Sequence, residues 1–172
     1  MSTTLAHWNT LPPEAAADAI LPCNGSLAWA TQLAALRPFA TPYDLTCTAD
    51  IVWRALPAAA QQQAFDSHPR IGEHQAKSAT AESLALSAAE QAFAQSAANP
   101  TSDTAAALAE ANRAYEQKFN RIFILCATNK SAEQILTILH HRLSNDPATE
   151  LSEAIEQQRQ ITQLRLRKWL AS

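Results

Sequence analysis

Segments rich in alanine, leucine and glutamine run along the whole chain, and short breaks of proline, asparagine, serine or aspartate separate them. The segments contain strong helix formers, and the breaks contain residue types that begin or end helices. The predicted helical segments are NTLPPEAAADAI (9–20), SLAWATQLAALR (26–37), TADIVWRALPAAAQQQAF (48–65), SATAESLALSAAEQAFAQSAA (78–98), TAAALAEANRAYEQKF (104–119), AEQILTILHHRL (132–143) and ATELSEAIEQQRQITQLRLRKWL (148–170). We expect the third segment to break into two helices at Pro57, because proline interrupts a helix interior.

Several breaks carry residues that typically cap helix N-termini. Asn24 or Ser26 can cap the second segment. Ser131 is followed three residues later by Gln134, which is the spacing of a capping box. The Asn-Asp-Pro run at 145–147 opens the last segment, with proline at a position that helix starts favour.

One segment departs from the helical pattern. IFILCAT (122–128) is β-branched and aromatic but only seven residues long, and no second alternating segment could pair with it as a strand. We expect a buried, partly extended connector between helices. The sequence therefore predicts an all-α fold over residues 1–172, a single domain of about seven or eight helices with one short extended connector.

Length, composition and charge exclude several classes of protein. The chain has 172 residues, 47% of them apolar, a mean hydropathy of −0.19 and a formal net charge of −3. Nucleic-acid binding is disfavoured, because phosphate contacts require a basic surface. No apolar run approaches the roughly 20 residues that span a bilayer, and MSTTLAHWNT lacks the basic and apolar parts of a signal peptide.

Cysteine and glycine usage narrows the choice further. The cysteines at 23, 47 and 126 are odd in number and form no CxxC motif, so a disulfide framework is not expected and a reducing cytoplasm fits better. Two glycines in the whole chain exclude the glycine-rich loops that bind nucleotide phosphates.

The first candidate for chemistry is HPRIGE (68–73). Pro69 restricts His68 to an extended backbone, and Gly72 permits a tight turn shortly afterwards. His68 is therefore expected on a loop after the helix that ends near Phe65, and such loops often carry catalytic groups. The alternative is a loop histidine that caps a helix C-terminus.

The second candidate is SAAEQ (87–91). Ser87, Glu90 and Gln91 fall on one helix face, because they are three and four residues apart. A carboxylate on a face otherwise rich in alanine could enter a cavity. A solvated helix face, or a capping box that pairs Ser87 with Glu90, explains the same spacing.

The third candidate lies in the last helix. Arg165 stands between two leucines at the border of the apolar side, and a partly buried guanidinium needs an anionic partner from the protein or from a ligand. The alternative is a solvated charge whose stem lies along apolar neighbours. Arg159, six residues earlier, is about 120° away around the helix, so both arginines cannot face one pocket squarely.

A metal site is the remaining alternative. His68, Glu73 and His74 could supply ligands, whereas His140 and His141 are adjacent on a helix and point about 100° apart. The sequence contains neither HExxH nor a cysteine–histidine cluster. We therefore predict no metal site.

Taken together, the motifs resemble one family along nearly the whole chain. They are RPF (37–39), DL (44–45), AF..HPRIG (64–72), S..EQ (87–91), Y..KF (115–119), IFILCA (122–127), RL.ND...EL..A (142–154) and I..LRL..WL (161–170). In this order and spacing they are similar to 2-oxo-4-hydroxy-4-carboxy-5-ureidoimidazoline (OHCU) decarboxylases, which act in uric acid breakdown. HPRIG with S..EQ is the specific part of the resemblance.

The resemblance implies an all-helical, cofactor-free carboxy-lyase that yields (S)-allantoin, with a homodimer as its assembly. It places the catalytic groups at His68, Glu90 and Arg165. The substrate contacts that it implies are Pro69, Ser87, Gln91 and the backbone of Ile122, Phe123, Ile124, Leu125 and Cys126. Competing interpretations are a helical module that binds a ureido compound without turnover, and a metal-dependent hydrolase.

The chain departs from the family pattern at 120–121. Many members read KFGF where this chain reads KFNR, so Asn120 replaces a glycine and Arg121 an aromatic residue. Asparagine tolerates a left-handed backbone better than most residues, so the turn is expected to survive. With Arg121 at this position, a role of the family's aromatic side chain is not carried over to this chain.

Overall fold

The computed structural model describes residues 2–71, 81, 85–86 and 102–172. Within these ranges the chain forms eight helices and no strand, so the predicted all-α class is confirmed. The helices are α1 (Thr3–Thr10), α2 (Pro13–Asn24), α3 (Leu27–Ala35), α4 (Pro42–Ala55), α5 (Ala58–Asp66), α6 (Ser102–Phe119), α7 (Ala132–Arg142) and α8 (Pro147–Leu170). The helical prediction for 78–98 lies almost wholly outside the described residues.

The predicted helix starts hold where capping chemistry was clear. The Ser26 hydroxyl accepts a hydrogen bond from the Trp29 amide at the start of α3. Ser131 and Gln134 form the predicted capping box at the start of α7. Asp146 caps α8, and proline follows it at the first helical position.

Two helix starts were wrong or missed. The sequence placed the start of α4 near residue 48, whereas the helix begins at Pro42 behind a capping box formed by Thr41 and Asp44. The first turns of α4 are polar on the surface, which hid their helical pattern. Helix α1 was not predicted, because only Leu5 and Trp8 of its eight residues are buried.

Two hydrophobic clusters form the core among the described residues. The first cluster joins side chains of α1 to α5 with α8, and the second joins α6 with α7. The 122–127 segment lies between them, and its side chains alternate between the two. Ile122, Ile124 and Cys126 enter the first cluster, whereas Phe123, Leu125 and Ala127 enter the second. This is the two-residue period of an extended chain, which confirms the predicted connector.

Side chains, not a neighbouring strand, hold the backbone of this segment. Arg142 Nη1 donates to the Ile124 carbonyl at 2.7 Å. The Cys126 amide donates to Gln157 Oε1, and the Cys126 carbonyl accepts from Lys130 Nζ, both at 2.9 Å. Buried backbone groups need such partners, because leaving them unpaired costs about as much as a lost hydrogen bond.

A buried ionic network fixes Arg142 in turn. Its guanidinium forms an ion pair with Glu150, and Nε donates to Glu150 Oε1 at 2.9 Å. The Tyr115 hydroxyl also donates to Glu150, and Asn145 Nδ2 donates to the second carboxylate oxygen at 2.9 Å. Burial and the Glu150 contact raise the pKa of Tyr115, so its hydroxyl keeps the proton that it donates.

Helix α8 organises the fold around the first cluster. It spans 24 residues and contacts α1, α2, α4 and α5. None of the helices in the described ranges combines the length and the hydropathy needed to cross a bilayer.

Candidate active site

His68 lies on the loop after α5, as predicted, and its side chain is buried. Only 9% of its surface is accessible. Its backbone amide donates to the Phe65 carbonyl at 3.1 Å, and the Ser67 hydroxyl donates to the Ala64 carbonyl at 2.7 Å. The His68 backbone amide and the Ser67 hydroxyl therefore cap the C-terminus of α5. The imidazole does not serve as the cap, which was the alternative interpretation of this histidine.

Gly25 allows the loop that carries His68 to pack close to the end of α2. Gly25 ends α2 with φ +92°, a left-handed conformation that glycine adopts without strain. A Cβ at this position would lie 2.0 Å from Ser67 Oγ and 2.6 Å from Ser67 Cβ. The absent side chain of Gly25 thus lets Ser67, and His68 after it, approach the α2–α3 junction.

Burial lowers the pKa of His68 to about 3, and the positive charge of Arg165 lowers it in the same direction. The nearby Gln158 side chain, a potential hydrogen-bond acceptor for the ring, acts on the pKa of His68 in the opposite direction. Burial disfavours the charged imidazolium, so His68 is neutral at pH 7. Its Nε2 atom is buried and has no hydrogen-bond partner in the described part of the chain.

His68 opens onto a pocket lined by the extended segment. The lining residues are His68, Pro69, Ile71, Phe123, Ile124, Leu125, Cys126, Ala127, Thr128, Ile161 and Leu164. Pro69 and four of the five predicted segment residues are therefore brought together with His68. Ile122 is not: it packs in the first cluster and does not line the pocket.

Helix α8 brings Arg165 to His68. Arg165 is 1% exposed, its charge acts on the His68 ring, and its Nη1 donates to the Pro22 carbonyl at 3.2 Å. Ile161, one turn before Arg165, and Leu164, directly before it, line the pocket. The Arg165 guanidinium is thus buried and close enough to His68 for its charge to act on the imidazole, but Arg165 is not among the residues that line this pocket.

Arg159 lies on another side of α8, as the helical angle predicted. It forms ion pairs with Asp50 at 2.8 Å and with Glu156 at 2.7 Å. The Glu156 and Asp50 carboxylates hold the pKa of Arg159 above its usual value. These ion pairs mean that Arg159 is not simply solvated. It lines a neighbouring cleft of about 590 Å³ between α4 and α8, which shares Cys126 and Leu164 with the His68 pocket.

The remaining predicted site residues, Ser87, Glu90 and Gln91, lie outside the described residues. So do Gly72, Glu73 and His74, which the turn and metal interpretations invoked. Within the described ranges no three histidine, cysteine, aspartate or glutamate side chains form a metal-binding group. His140 and His141 are exposed on α7.

The 120–121 departure has a structural outcome. Asn120 has φ 53°, so asparagine adopts the left-handed turn that was expected of it. Two nitrogens of Arg121, Nε and Nη1, are buried and find no hydrogen-bond partner among the described residues.

Sequence reasoning missed Gln158 and Gly25. Gln158 is completely buried on α8 beside His68. Its position seven residues, or about two turns, before Arg165 was a usable signal, because this spacing returns to the same helix face. The contact between Gly25 and Ser67 joins residues 42 apart in sequence, and no local pattern predicts it.

Comparisons with known proteins agree with the motifs. A family model described as OHCU decarboxylase matches residues 9–167. An Amia calva protein named 2-oxo-4-hydroxy-4-carboxy-5-ureidoimidazoline decarboxylase is 36% identical over 132 residues, which are 76% of this chain and 73% of that protein. The Arabidopsis thaliana uric acid degradation bifunctional protein TTL is 32% identical over 148 residues, which are 85% of this chain. This chain spans only 44% of that bifunctional protein's length.

Solved structures show the same architecture. A crystal structure of OHCU decarboxylase in the presence of (S)-allantoin superposes with a TM-score of 0.77 and 29% identity, over 90% of this chain and 99% of that one. A crystal structure of (S)-allantoin synthase gives a TM-score of 0.72 over 96% of this chain and 53% of that one; at 16% identity it shows the shared fold alone. By family model, sequence relatives and structure, the chain belongs to the OHCU decarboxylase family of carboxy-lyases, as its motifs predicted.

Proposed function

We propose that this chain decarboxylates OHCU to (S)-allantoin in the breakdown of urate. The observation that carries the proposal is the buried pair of His68 and Arg165 beside a pocket lined by the 123–128 segment. Family membership over residues 9–167 supports it independently.

The reaction needs no cofactor in this proposal. The carboxylate of OHCU is attached to a ring carbon next to a C=N bond. When the C–CO₂ bond breaks, its electron pair forms a ring C=C bond and the C=N electrons move to nitrogen. That nitrogen and the carbon that formed the C=N bond each take up a proton, and the hydroxyl loses its proton to become a carbonyl, so the reaction consumes one proton for each CO₂ released. The substrate itself accepts the electrons, so the protein must bind, orient and move protons.

His68 is assigned to proton transfer in this scheme. Its pKa of about 3 means that the ring is neutral at pH 7 and can accept a proton from the substrate hydroxyl. The substrate's carboxylate would favour the imidazolium form, because an opposite charge nearby stabilises it. Binding of the anion would therefore make His68 a stronger base where it is needed.

Arg165 is assigned to the anionic or ureido group of the substrate. A guanidinium can form two parallel hydrogen bonds with a carboxylate. Such bonds are stronger in a buried site than in water, and Arg165 is 1% exposed. They would also set the angle between the C–CO₂ bond and the ring plane.

Glu90, Ser87 and Gln91 complete the proposed site by resemblance to the family. Glu90 would act with His68 as an acid–base pair, while Ser87, Gln91, Pro69 and the segment backbone would bind the ring carbonyl and ureido groups. Replacing Glu90 by glutamine preserves its shape and removes its charge. If Glu90 tunes His68, the pH–rate profile of this variant should lose one limb as well as height.

We further propose a homodimer, a cytoplasmic location and a single domain over residues 1–172. These follow from the resemblance and from the composition.

Fresh OHCU, generated enzymatically from urate, tests the function directly. Circular dichroism should show (S)-allantoin forming faster with the protein than by spontaneous decay, at unchanged rate after EDTA treatment. A rate equal to the spontaneous rate, with OHCU retained stoichiometrically, would instead identify a binding module. Loss of activity with EDTA would indicate a metal-dependent enzyme.

A further inference from the structure

We propose that Gln158 is a positioning residue for His68, and that its side-chain oxygen holds the imidazole in one orientation and one neutral tautomer. The inference rests on the proposed function of His68. It concerns a residue that the family motifs quoted above do not contain. Gln158 itself does not line the pocket.

The Gln158 amide has only one workable orientation. Its Nε2 donates to the Asn24 backbone carbonyl at 3.1 Å and to Thr162 Oγ1 at 3.4 Å. Rotating the amide by 180° would place its oxygen against the Asn24 carbonyl, and two acceptors repel. The Thr162 hydroxyl is fixed as well, because it donates to the Gln158 backbone carbonyl at 2.9 Å and accepts from Asn24 Nδ2 at 3.0 Å.

This orientation leaves the Gln158 oxygen without a partner in the interior. Gln158 is completely buried, and among the described residues its Oε1 accepts no hydrogen bond. A buried acceptor without a partner costs about 1–3 kcal/mol. Such a group is uncommon in a folded protein and calls for an explanation.

The neighbour that can use this oxygen is His68. Gln158 acts on the imidazole as a hydrogen-bonding side chain and raises its pKa. The contact is looser than a full hydrogen bond, since His68 Nε2 also lacks a partner within the described part of the chain. An imidazole N–H directed at the Gln158 oxygen would satisfy both groups.

The consequence is a defined tautomer. A neutral imidazole that donates one N–H carries its lone pair on the other nitrogen. Gln158 would thereby decide which nitrogen accepts the substrate proton, much as a carboxylate or carbonyl fixes the tautomer of other catalytic histidines. The neighbouring network of Asn24 and Thr162 keeps the oxygen in place.

Gln158→Leu removes the acceptor at similar size. We expect kcat to fall about 10- to 100-fold, the usual effect of losing a supporting partner, with KM little changed because Gln158 does not line the pocket. Nitrogen-15 spectra of the His68 ring should change from one dominant neutral tautomer to a mixture. Gln163→Leu is the matched control, because Gln163 lies on the same helix but donates to Thr46 and Asp50 in the other cleft.

Gln158→Glu tests the same contact without removing the oxygen. A carboxylate favours the imidazolium, so the acidic limb of the kcat–pH profile should move to higher pH. Unchanged kcat and an unchanged tautomer in Gln158→Leu would overturn the proposal. If Gln158→Leu does not fold, an unshifted profile in Gln158→Glu overturns it. The ring spectra are measured without substrate, so they test Gln158 even if the parent protein shows no turnover.

Discussion

Helix α8 carries two buried charged centres that are built in opposite ways. Near its start, Glu150 is surrounded by Arg142, Tyr115 and Asn145, which all hydrogen-bond to its carboxylate. Fifteen residues later, about 22 Å along the helix, Arg165 lies beside His68, where two buried polar atoms have no partner in the described ranges.

The difference in hydrogen bonding indicates that the Glu150 network serves stability and the His68 centre serves activity. The Glu150 network is saturated and holds the Ile124 carbonyl, so it stabilises the segment that lines the pocket. At the His68 centre, His68 Nε2 and Gln158 Oε1 find no hydrogen-bond partner among the described residues, at an energetic cost. Folded proteins retain such costs mainly where function needs them. Variants at each centre should therefore separate activity from stability.

The largest expected effect is on turnover at His68. His68→Asn should lower kcat about 10²- to 10⁴-fold, the usual range for general acid–base catalysis. The OHCU assay with circular dichroism measures it. His140→Asn is the matched control, because His140 is exposed on α7. Near-parental turnover by His68→Asn would remove this residue from the mechanism.

Glu150→Gln should lower stability strongly and turnover only slightly. It leaves Arg142, which is 3% exposed, without a counter-charge, and breaking a buried ion pair costs about 3–5 kcal/mol. Urea unfolding should report this loss, whereas turnover of the protein that remains folded should fall far less than in His68→Asn. Glu153→Gln is the control, since that carboxylate accepts only from Gln157 among the described residues. Equal stability of the two variants would refute the assigned role of the network.

Arg165→Lys tests the planar guanidinium at the His68 centre. A lysine keeps the charge but cannot form two parallel hydrogen bonds, so KM should rise about 10- to 100-fold, the equivalent of one or two charged hydrogen bonds. Arg159→Lys is the control and should leave the kinetics nearly unchanged. The opposite result, with Arg159→Lys impaired and Arg165→Lys normal, would show that the wrong arginine was assigned.

Gly25→Ala should lower both stability and turnover modestly. The added Cβ meets Ser67 at 2.0 Å, and the backbone keeps a positive φ, so destabilisation of more than about 1 kcal/mol is expected. Because Ser67 precedes His68, kcat should also fall. The double variant Gly25→Ala with Ser67→Gly removes the clash and should recover part of the activity. No recovery would mean that the contact does not position His68.

The most gradual effect, spread over several pH units, is the pH dependence of stability. The His68 pKa is about 3 in the folded chain and near 6.5 when unfolded, so between these values the unfolded chain binds a proton that the folded chain does not. The unfolding free energy must then decrease as pH falls through this window, by up to about 1.4 kcal/mol per unit. In urea titrations, His68→Asn should show a shallower pH dependence than His140→Asn between pH 6 and pH 4. Parallel curves would contradict the burial of a neutral imidazole.

Local chemistry explains why some features were readable from the sequence. Ser131 with Gln134, and Asp146 before Pro147, predicted helix starts because capping depends on residues within one turn. The extended connector at 122–128 was readable from its β-branched run. His68 could be singled out because the following proline restricts its backbone.

By itself the sequence determined the helical class, the candidate histidine and the family, because periodicity, capping and motif order are properties of the linear chain. Only the tertiary structure decided that Arg165 and not Arg159 lies near His68, that Gln158 Oε1 has no hydrogen-bond partner among the described residues, and that Gly25 makes room for Ser67. The physical reason is that these contacts join residues 42 to 97 positions apart. Their burial and pairing arise when α2, α5 and α8 pack together, and no local pattern records that packing.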